Sequence, residues 1–412
     1  MTRPADLPEG TDLGDPDLYR DDRRFARWGS AAAADAVRWS PPGTAPSGFW
    51  SVFSQAACRA VMSPAGPFSS EYGMMIGFDR AHPDKAGGDM LVVADGPHHD
   101  RLRGIVLPYL SRAMAQSLRN GVEDEVRRLV GDAVDAGVAD VARTLGPLVP
   151  AGVVCQILGV PAADRDELID LTNHAFAGAD ATYAAMSPSA AHAEIIFYLS
   201  ELVEQRRRHP GDDLISAIAA DPRLSLHDVL LNCDNVVVGG NETTRHALTG
   251  CFEALSTVPD LLAGLRADPA AVDTAVEEVL RWTSPAMHVL RVATADVEIA
   301  GQRIAAGSAV AAWLPAANRD PRYFTDADTF RPARSPNRHL AFGHGGHHCL
   351  GAALARLELR TLLLALAERV ERVEVTEPPR RLRSNLVQGY TGLSVHLEPL
   401  RNPRTAPVGA VG

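Results

Sequence analysis

The clearest chemical signal in this sequence is a cysteine that follows a loop of glycines and histidines. Residues 341–351 read Ala-Phe-Gly-His-Gly-Gly-His-His-Cys-Leu-Gly, and a pattern typical of an amphipathic helix continues to about Val370. The sequence therefore predicts Cys349 at a helix N-terminus, where free N–H groups and the positive end of the helix dipole favour a thiolate. A cysteine held in this way is a nucleophile or a metal ligand.

Several kinds of site could use Cys349. A buried structural cysteine would not need the glycine loop. A zinc site would add His344, His347 and His348, but ligands so close in sequence do not easily face one tetrahedral centre. A cysteine hydrolase would need a partner histidine and an orienting Asn or Asp, which no pattern here singles out. A single axial thiolate to a haem iron fits the loop best.

A second chemical cluster lies in the middle of a long predicted helix, which begins with a capping motif at Ser225 and continues to about Thr257. Residues 236–244 read Val-Val-Val-Gly-Gly-Asn-Glu-Thr-Thr, and each glycine costs about 1 kcal/mol relative to alanine in a helix. The Thr243 hydroxyl can bond to the carbonyl of Gly239, which opens the helix. The segment is either a close-packing point between helices or a groove where a small ligand meets an acid and an alcohol.

Helical patterns fill most of the chain and must position both clusters. Residues 114–135 and 190–208 carry apolar residues at helical spacing, whereas the strand-like runs are short and follow Trp282. These runs are residues 289–293, 297–300, 309–313 and 393–397. The sequence thus predicts a mainly α fold with a minor β part.

Composition narrows the class of protein. The 412 residues include 40 Lys+Arg and 51 Asp+Glu, and the net charge of −11 argues against a nucleic-acid partner. Five scattered cysteines without a CxxC pair indicate reduced thiols, and no signal peptide or membrane span is recognisable. We expect a cytoplasmic monomer without membrane contacts. No composition break divides the chain, so we expect one domain over residues 21–400, with loose tails over 1–20 and 401–412.

Together these motifs resemble those of the cytochrome P-450 superfamily, in its soluble bacterial members. Residues 342–351 match the haem-binding signature F-x-x-G-x-x-x-C-x-G, and Glu278-Val-Leu-Arg281 resembles the E-x-x-R helix motif. Residues 239–244 are similar to the oxygen-activation motif. Further family-like segments are residues 95–103, 210–214 and 330–334. Two residues depart from the common pattern, Asn241 in the central helix and His348 before the cysteine.

The resemblance implies one large triangular domain with a long central helix over haem b. It implies that Cys349 is the axial ligand of the iron. The other positions implied to contact the cofactor are Phe342, Gly345, Gly351, Gly239 and Gly240. The residues implied to hold the haem propionates are His99, Arg103, Arg291 and His347. The residues implied to form a buried salt-bridge network beneath the haem are Glu278, Arg281 and Arg334.

The resemblance also implies how oxygen and substrate are handled. Thr243 would hydrogen-bond oxygen or an ordered water, and Glu242 would connect the pocket to the proton supply. The positions carried over as substrate pocket are Val237, Gly240, Met287, Val289, Tyr390 and Thr391. A glycine-rich loop over residues 74–90 would act as a lid.

The implied activity is a monooxygenase that inserts one oxygen atom from O2 into a medium-sized organic substrate. We expect hydroxylation of a secondary-metabolite intermediate, tethered in some cases to a carrier protein, with electrons from ferredoxin and an NAD(P)H-dependent reductase. Arg356 and Arg360 are either a docking spot for that partner or solvated helix arginines. Epoxidation, oxidative phenol coupling, a haem-binding sensor without turnover and a zinc hydrolase remain as alternatives.

Overall fold

Helices account for most of the architecture. The computed structural model describes residues 10–20, 23–34, 36–176 and 185–400. The helices in these residues are α1 (Arg23–Ala33), α2 (Gln55–Met62), α3 (Gly96–Val106), α4 (Arg112–Asp135), α5 (Leu145–Leu158), α6 (Arg165–Phe176), α7 (Pro188–Arg208), α8 (Leu214–Ala219), α9 (Leu226–Ser256), α10 (Leu261–Ala267), α11 (Val272–Thr283), α12 (Leu314–Ala317) and α13 (Ala352–Arg369). About 52% of the chain is helical, so the predicted mainly α fold is confirmed.

The predicted long helix is α9, which runs through the centre of the molecule. Ser225 and Asp228 form the predicted capping box, in which each side chain accepts a backbone N–H of the other residue. The helix has 31 residues and is therefore about 46 Å long. It packs along α5 and also contacts α6, α7, α11 and α13. This packing on several sides explains why α9 carries apolar residues around most of its circumference.

Short strands complete the fold. The strands are β1 (Val37–Ser40), β2 (Phe49–Val52), β3 (Phe68–Ser69), β4 (Val138–Asp140), β5 (His288–Ala293), β6 (Val297–Ile299), β7 (Gln302–Ile304), β8 (Ala309–Trp313), β9 (Val370–Val375), β10 (Arg380–Arg381), β11 (Tyr390–Gly392) and β12 (Ser394–Pro399). The larger sheet has the order β1-β2-β8-β5-β3, and a second sheet has the order β4-β12-β9. The four predicted runs correspond to β5, β6, β8 and β12. Sequence reasoning missed β1 and β2, which are only four residues each. Strand β1 pairs with β2, and β2 pairs in turn with β8 far along the chain.

The N-terminal prediction requires a correction. The expected loose tail over residues 1–20 is wrong for residues 10–20, because Leu13 and Tyr19 are 2% and 5% exposed and belong to a core cluster with Trp28 and Trp313. The Tyr19 hydroxyl also donates to the carbonyl of Leu13 at 2.6 Å. Residues 1–9 and the predicted tail over 401–412 lie outside the described residues.

The cysteines divide into two environments. Cys58, Cys155, Cys233 and Cys251 are buried, whereas Cys349 is exposed. Burial raises the pKa of the Cys155 thiol to about 11 and the pKa values of Cys233 and Cys251 to about 12. These buried thiols stay protonated at neutral pH.

None of the described helices is both long and apolar enough to span a bilayer.

Candidate active site

The cysteine loop is closed by backbone hydrogen bonds and shaped by glycines. The N–H of Cys349 donates to the carbonyl of Phe342 at 3.0 Å. Gly343 and Gly345 have φ angles of 71° and 76°, and a Cβ at Gly345 would lie 2.4 Å from the carbonyl oxygen of Met62 in α2. Only glycine fits such a conformation and such a close approach. The loop therefore delivers Cys349 to a fixed position three residues before α13.

The charge state of Cys349 reflects opposing influences. Surrounding protein atoms raise the pKa of the Cys349 thiol, although its side chain is open to solvent on one side. The backbone N–H groups of Gly351 and Ala352 and the charges of Arg356 and Arg103 act to lower the same pKa. The predicted thiolate-favouring groups are thus present, but burial outweighs them. A bound metal cation would reverse the balance, because a coordinating thiol is deprotonated.

The wall formed by α9 is open at Gly239 and closely packed at Gly240. Gly239 is exposed, and a Cβ placed there would meet no atom within 4 Å, whereas one at Gly240 would lie 2.7 Å from Val154. Thr243 is half-buried, and its hydroxyl lies 3.4 Å from the carbonyl of Gly239, the predicted backward bond. This bond is long and therefore weak. The arrangement leaves a flat backbone surface beside a hydroxyl that can be redirected to another partner.

The acid next to Thr243 is held in a buried cluster. Glu242 is 2% exposed, and its Oε1 accepts a hydrogen bond from Arg245 at 3.0 Å. The Nε2 of His246 lies 3.2 Å from Oε2 of Glu242. Burial alone would raise the pKa of Glu242, but the charge of Arg245 and the imidazole of His246 hold it below its ordinary value. Glu242 is therefore an ionised carboxylate at neutral pH.

The proton position on His246 follows from its other contact. The backbone N–H of Tyr390 donates to Nδ1 of His246 at 3.2 Å, so Nδ1 accepts and Nε2 carries the proton. Burial lowers the pKa of His246, which keeps the imidazole neutral. That Nε2–H lies beside the Glu242 carboxylate, 3.2 Å from Oε2, without the alignment of a hydrogen bond. The cluster thus places the proton-bearing imidazole of His246 beside the carboxylate of Glu242, the residue directly before Thr243.

The residues predicted to hold propionates gather around the start of α3 and β5. His99 is 5% exposed, its ring lies 4.2 Å from the ring of His347, and its Nε2 has no hydrogen-bond partner in the described part of the chain. Arg103 donates to the carbonyl of His348 at 3.1 Å. Arg291 is 6% exposed, and burial lowers its pKa to about 10.

Asp95 would compete with a propionate for His347. The Nε2 of His347 lies 3.3 Å from Oδ1 of Asp95, and Ser69 and Ser70 also donate to this carboxylate, both at 2.8 Å. Burial acts to raise the pKa of Asp95, but these hydrogen bonds keep it well below its ordinary range. His347 is therefore tied to a protein carboxylate. Sequence reasoning missed Asp95 as a site residue, although its position at the start of the α3 motif was the available signal.

These residues fit a haem group. Arg291 is a buried guanidinium that forms no ion pair within the described residues, and a buried cation requires an anionic partner. The unpartnered Nε2 of His99 requires a hydrogen-bond partner as well. Propionates would satisfy both groups, the open backbone at Gly239 would accept a flat ring, and Cys349 would supply the sulfur ligand.

The geometry gives less support to a zinc site at Cys349 than to a haem site. Among the residues that the structure describes, no group of three or more His, Cys, Asp or Glu side chains is arranged to hold a metal ion. In particular, His344 pairs with Arg59 at 3.1 Å and His347 pairs with Asp95. The zinc interpretation therefore lacks a ligand set around Cys349 in this part of the chain.

The predicted salt-bridge network is assembled at the end of α11. Arg281 binds both oxygens of Glu278 at 2.8 Å, and Arg334 approaches the same carboxylate at 3.0 Å. The side chains of Glu278 and Arg281 are fully buried, and that of Arg334 is 6% exposed. The backbone N–H of Arg331 and the amide of Asn337 complete the set of donors to Glu278. The structure thus brings together the three residues that the sequence paired.

A second ion pair, missed from the sequence, connects α11 to α13. Arg356 binds both oxygens of Glu277, at 2.6 and 2.9 Å, and its guanidinium lies 4.6 Å above the ring of Phe342. Arg360 donates to one carboxylate oxygen of Asp273, also in α11. The two arginines are therefore engaged with α11, which argues against the hypothesis that they are free for partner docking. Their role is to fix α13 and the loop residue Phe342.

The structure places four of the predicted pocket positions in contacts within the protein. Val237 and Met287 are 1% and 0% exposed and belong to protein core clusters. The Tyr390 hydroxyl donates to Glu253 at 2.5 Å, toward the C-terminal end of α9, and Thr391 faces the carbonyl of Arg380. The C-terminal turn instead places Leu386 next to Met287. The N–H of Met287 donates to the carbonyl of Leu386 at 2.9 Å. Gly240 and Val289 are half-buried and remain candidate pocket residues.

Comparisons with known proteins agree with the architecture. The sequence model of the cytochrome P450 family matches residues 269–392. Cytochrome P450 NovI from Streptomyces niveus is 34% identical over 404 residues, covering 96% of this chain and 99% of NovI. The crystal structure of P450 OxyD, involved in the biosynthesis of vancomycin-type antibiotics, is 59% identical with a TM-score of 0.91, covering 94% of this chain and 100% of OxyD. P450BioI, solved with a hexadec-9Z-enoic acid ligated acyl carrier protein, is 27% identical with a TM-score of 0.81, covering 91% and 98%.

The fold and these likenesses define the class of protein, an oxidoreductase of the monooxygenase type that uses haem. The chain belongs to the cytochrome P450 family. The predictions of family, fold and enzyme class are confirmed. The roles of individual site residues, the substrate and the partners are proposals.

Proposed function

We propose that this P450 holds haem b with Cys349 as the axial ligand of the iron and inserts one oxygen atom from O2 into a medium-sized organic substrate. The observation that carries the proposal is the open thiol of Cys349 at the start of α13, in a fold whose central helix presents Thr243 and Glu242 beside open backbone. Haem with a thiolate ligand supplies the oxygen chemistry, because the thiolate favours O–O cleavage.

Side chains around α3 and β5 would bind and orient the cofactor. Arg291 and His99 would engage the propionates through their unused hydrogen-bonding groups, and Arg103 would add positive charge at the edge of the site. His347 would act partly through Asp95, with which it shares a hydrogen bond. Glu278, Arg281 and Arg334 would keep the surrounding framework rigid, without contact to the reacting atoms.

Thr243 and Glu242 would control protons on the other side of the site. The weak bond of Thr243 to the Gly239 carbonyl leaves its hydroxyl free to donate toward the site. Glu242 would accept a proton at its carboxylate and pass it on after turning away from Arg245, with Nε2–H of His246 as the adjacent proton-bearing group. Positioned proton transfer of this kind contributes about 10²–10⁴-fold to a rate.

We propose that the substrate is a secondary-metabolite intermediate and that the reaction is a hydroxylation. The intermediate is either free or attached to a carrier protein. The likeness to OxyD supports a biosynthetic role, and the complex of P450BioI with an acyl carrier protein supports carrier attachment. Ferredoxin and an NAD(P)H-dependent reductase would supply electrons to a monomer in the cytoplasm, with residues 21–400 acting as one domain. Epoxidation, phenol coupling and a sensor role are the competing functions.

Reconstitution with isotopic oxygen tests the activity. Candidate substrates, free and loaded on a carrier protein, are first screened for a Soret shift of the purified protein. Binders are then incubated with a ferredoxin, its reductase, NADPH and ¹⁸O2, and we expect one ¹⁸O atom per product molecule. A sensor would consume no NADPH above background with any binder. A coupled product without ¹⁸O would point to phenol coupling instead.

A further inference from the structure

A long loop connects β3 to α3 and is closed at its base. We call residues 70–94 the roof loop. Asp95 closes its ends, because its carboxylate accepts from the hydroxyl of Ser69 and from the N–H of Ser70, both at 2.8 Å. One carboxylate thus holds the two ends of the roof loop together. Its orientation therefore depends on what holds its two sides.

One side of the roof loop is attached to β5. The N–H of Leu290 donates to the carbonyl of Met74 at 3.3 Å. His288 is 2% exposed, and its Nε2 accepts from the N–H of Ile76 at 3.1 Å. The same strand carries Val289 and Arg291, which belong to the proposed site. This side of the roof loop is thus fixed to one wall of the site.

The other side is hydrogen-bonded to α9 through the side chain of Asn232, next to the apolar packing of Leu91. Asn232 is 1% exposed, and its Oδ1 accepts from the N–H of Leu91 at 2.8 Å. Its Nδ2 donates to the carbonyl of Asp89 at 3.1 Å and to that of Asp228 at 2.8 Å. Both amide hydrogens and the oxygen are therefore engaged, which fixes the orientation of the side chain. Gly88, directly before this attachment, has a φ of 89° and allows the chain to bend there.

Asn232 lies on the face of α9 that carries the proposed chemistry. Gly239 follows seven residues later and Thr243 four residues after that, which at 3.6 residues per turn is close to two turns and one turn. The attachment point is thus aligned with the open backbone and the hydroxyl along the helix. Since its other side is attached to β5, the roof loop spans the two walls of the site.

We propose that Asn232 is a positioning residue that holds the roof loop across the site and thereby sets the rate at which small ligands enter and leave. The proposal rests on the proposed function only in taking Thr243 and Gly239 to face the site. An amide in this buried position is otherwise unfavourable, because asparagine is a poor helix former and buried polar groups require partners. Its two hydrogen bonds to the roof loop offset that cost.

Opening of the roof loop can be measured by proteolysis at Lys85. Lys85 is the only lysine in the sequence, so a lysine-specific protease cuts the native chain at this site alone. Cleavage requires the segment to open locally, because Asp84 donates to the carbonyl of Tyr72 and Met90 to that of Ala86 in the closed loop. The cleavage rate at Lys85 therefore measures how often the loop opens.

The first measurement compares the haem-loaded wild type with Asn232→Leu, which keeps the size of the side chain and removes both loop bonds. We expect the cleavage rate at Lys85 to rise about 30-fold, the effect of losing two hydrogen bonds of ordinary net strength. Cys233→Ala is the matched control, since it truncates the next buried side chain of α9, and its rate should equal that of the wild type. Asn232→Asp, which keeps an acceptor for Leu91, serves if the leucine variant does not fold.

The second measurement follows imidazole binding by the Soret shift in a stopped-flow instrument. A loop that gates passage changes both rate constants together, so we expect Asn232→Leu to speed association and dissociation of imidazole by a similar factor. The dissociation constant should stay nearly unchanged. A purely structural role would not produce this pattern, because general destabilisation does not accelerate binding.

Two results would overturn the proposal. Unchanged cleavage at Lys85 in a folded Asn232→Leu protein means that the asparagine does not hold the roof loop. Faster cleavage with unchanged imidazole rates means that the roof loop does not control access. A protein that binds no haem would give no Soret signal and would contradict the proposed function, whereas the cleavage measurement on Asn232 would still give its own result.

Discussion

The guanidinium of Arg281 binds both carboxylate oxygens of Glu278 at 2.8 Å, with both side chains fully buried. The pair is one helical turn apart on α11, and three backbone carbonyls accept the remaining N–H groups of Arg281. Burial acts to raise the pKa of Glu278, but Arg281, the N–H of Arg331 and Arg334 hold it below its ordinary value. The network stays ionised and links α11 to the segment before the cysteine loop.

Arg281→Ala is expected to destabilise the protein by about 3–5 kcal/mol, because Glu278 would be left as a buried charge without its closest partner. The variant should purify with little haem. Unfolding in urea and the ratio of Soret to protein absorbance measure both effects. Arg331→Ala is the control, since that side chain forms only an exposed pair with Asp326, a type of pair worth about 1 kcal/mol or less. Normal haem content in the Arg281 variant would contradict the structural role.

Thr243→Ala is expected to uncouple electron consumption from product formation. Without the hydroxyl, protons are not directed to the reacting oxygen, so NADPH consumption should continue while hydrogen peroxide replaces product. Peroxide formed per NADPH is the measurement. Thr249→Ala is a matched control, because its hydroxyl makes a similar bond to the carbonyl of Arg245 on the same helix, at 2.8 Å. Equal coupling in wild type and Thr243→Ala would remove Thr243 from the mechanism.

Glu242→Gln should slow turnover by about 10²–10⁴-fold while haem binding is retained, since the amide cannot accept and release a proton. The replacement keeps the shape of the side chain next to Arg245 and His246. A larger solvent deuterium isotope effect on turnover than in the wild type is the diagnostic result. A rate within a few-fold of wild type, with no change in isotope effect, would show that protons take another route.

His288 is expected to make stability depend on pH. Burial lowers the pKa of His288 to about 4, although its bond to the carbonyl of Asn385 acts in the opposite direction. Because this pKa lies below the ordinary value of about 6.5, the neutral form stabilises the fold above pH 6.5 and the stabilisation is lost as the pH falls toward 4. The loss should reach about 2–3 kcal/mol by pH 4.5 and should be smaller in His288→Phe. Identical pH dependence of urea unfolding in both proteins would refute this assignment.

The sequence predicted the parts of the fold that depend on local pattern. Helix α9 could be predicted because its capping box and apolar spacing are written in consecutive residues from Ser225 onward. The same holds for the loop before Cys349, whose glycines adopt positive φ angles that other residues avoid. Glu278 and Arg281 share one helical turn, so the pair implied by the E-x-x-R resemblance also agrees with their spacing.

The remaining features depend on contacts between distant segments. Nothing near Tyr390 in the sequence shows that its hydroxyl binds Glu253, or that Met287 is enclosed by core residues next to Trp313. Asp95 illustrates the same limit, since its competition for His347 exists only when α3 meets the cysteine loop. A position in a motif therefore predicted membership of the site better than it predicted where a side chain points.

Carbon monoxide binding to the reduced protein tests whether Cys349 is the ligand of the haem iron. Wild type and Cys349→Ser are purified, reduced with dithionite and exposed to carbon monoxide, and the Soret bands are recorded. We predict the red-shifted band of a thiolate-ligated haem in the wild type and its loss in the variant. A wild-type protein without haem, or a variant that keeps the red-shifted band, would contradict the assignment.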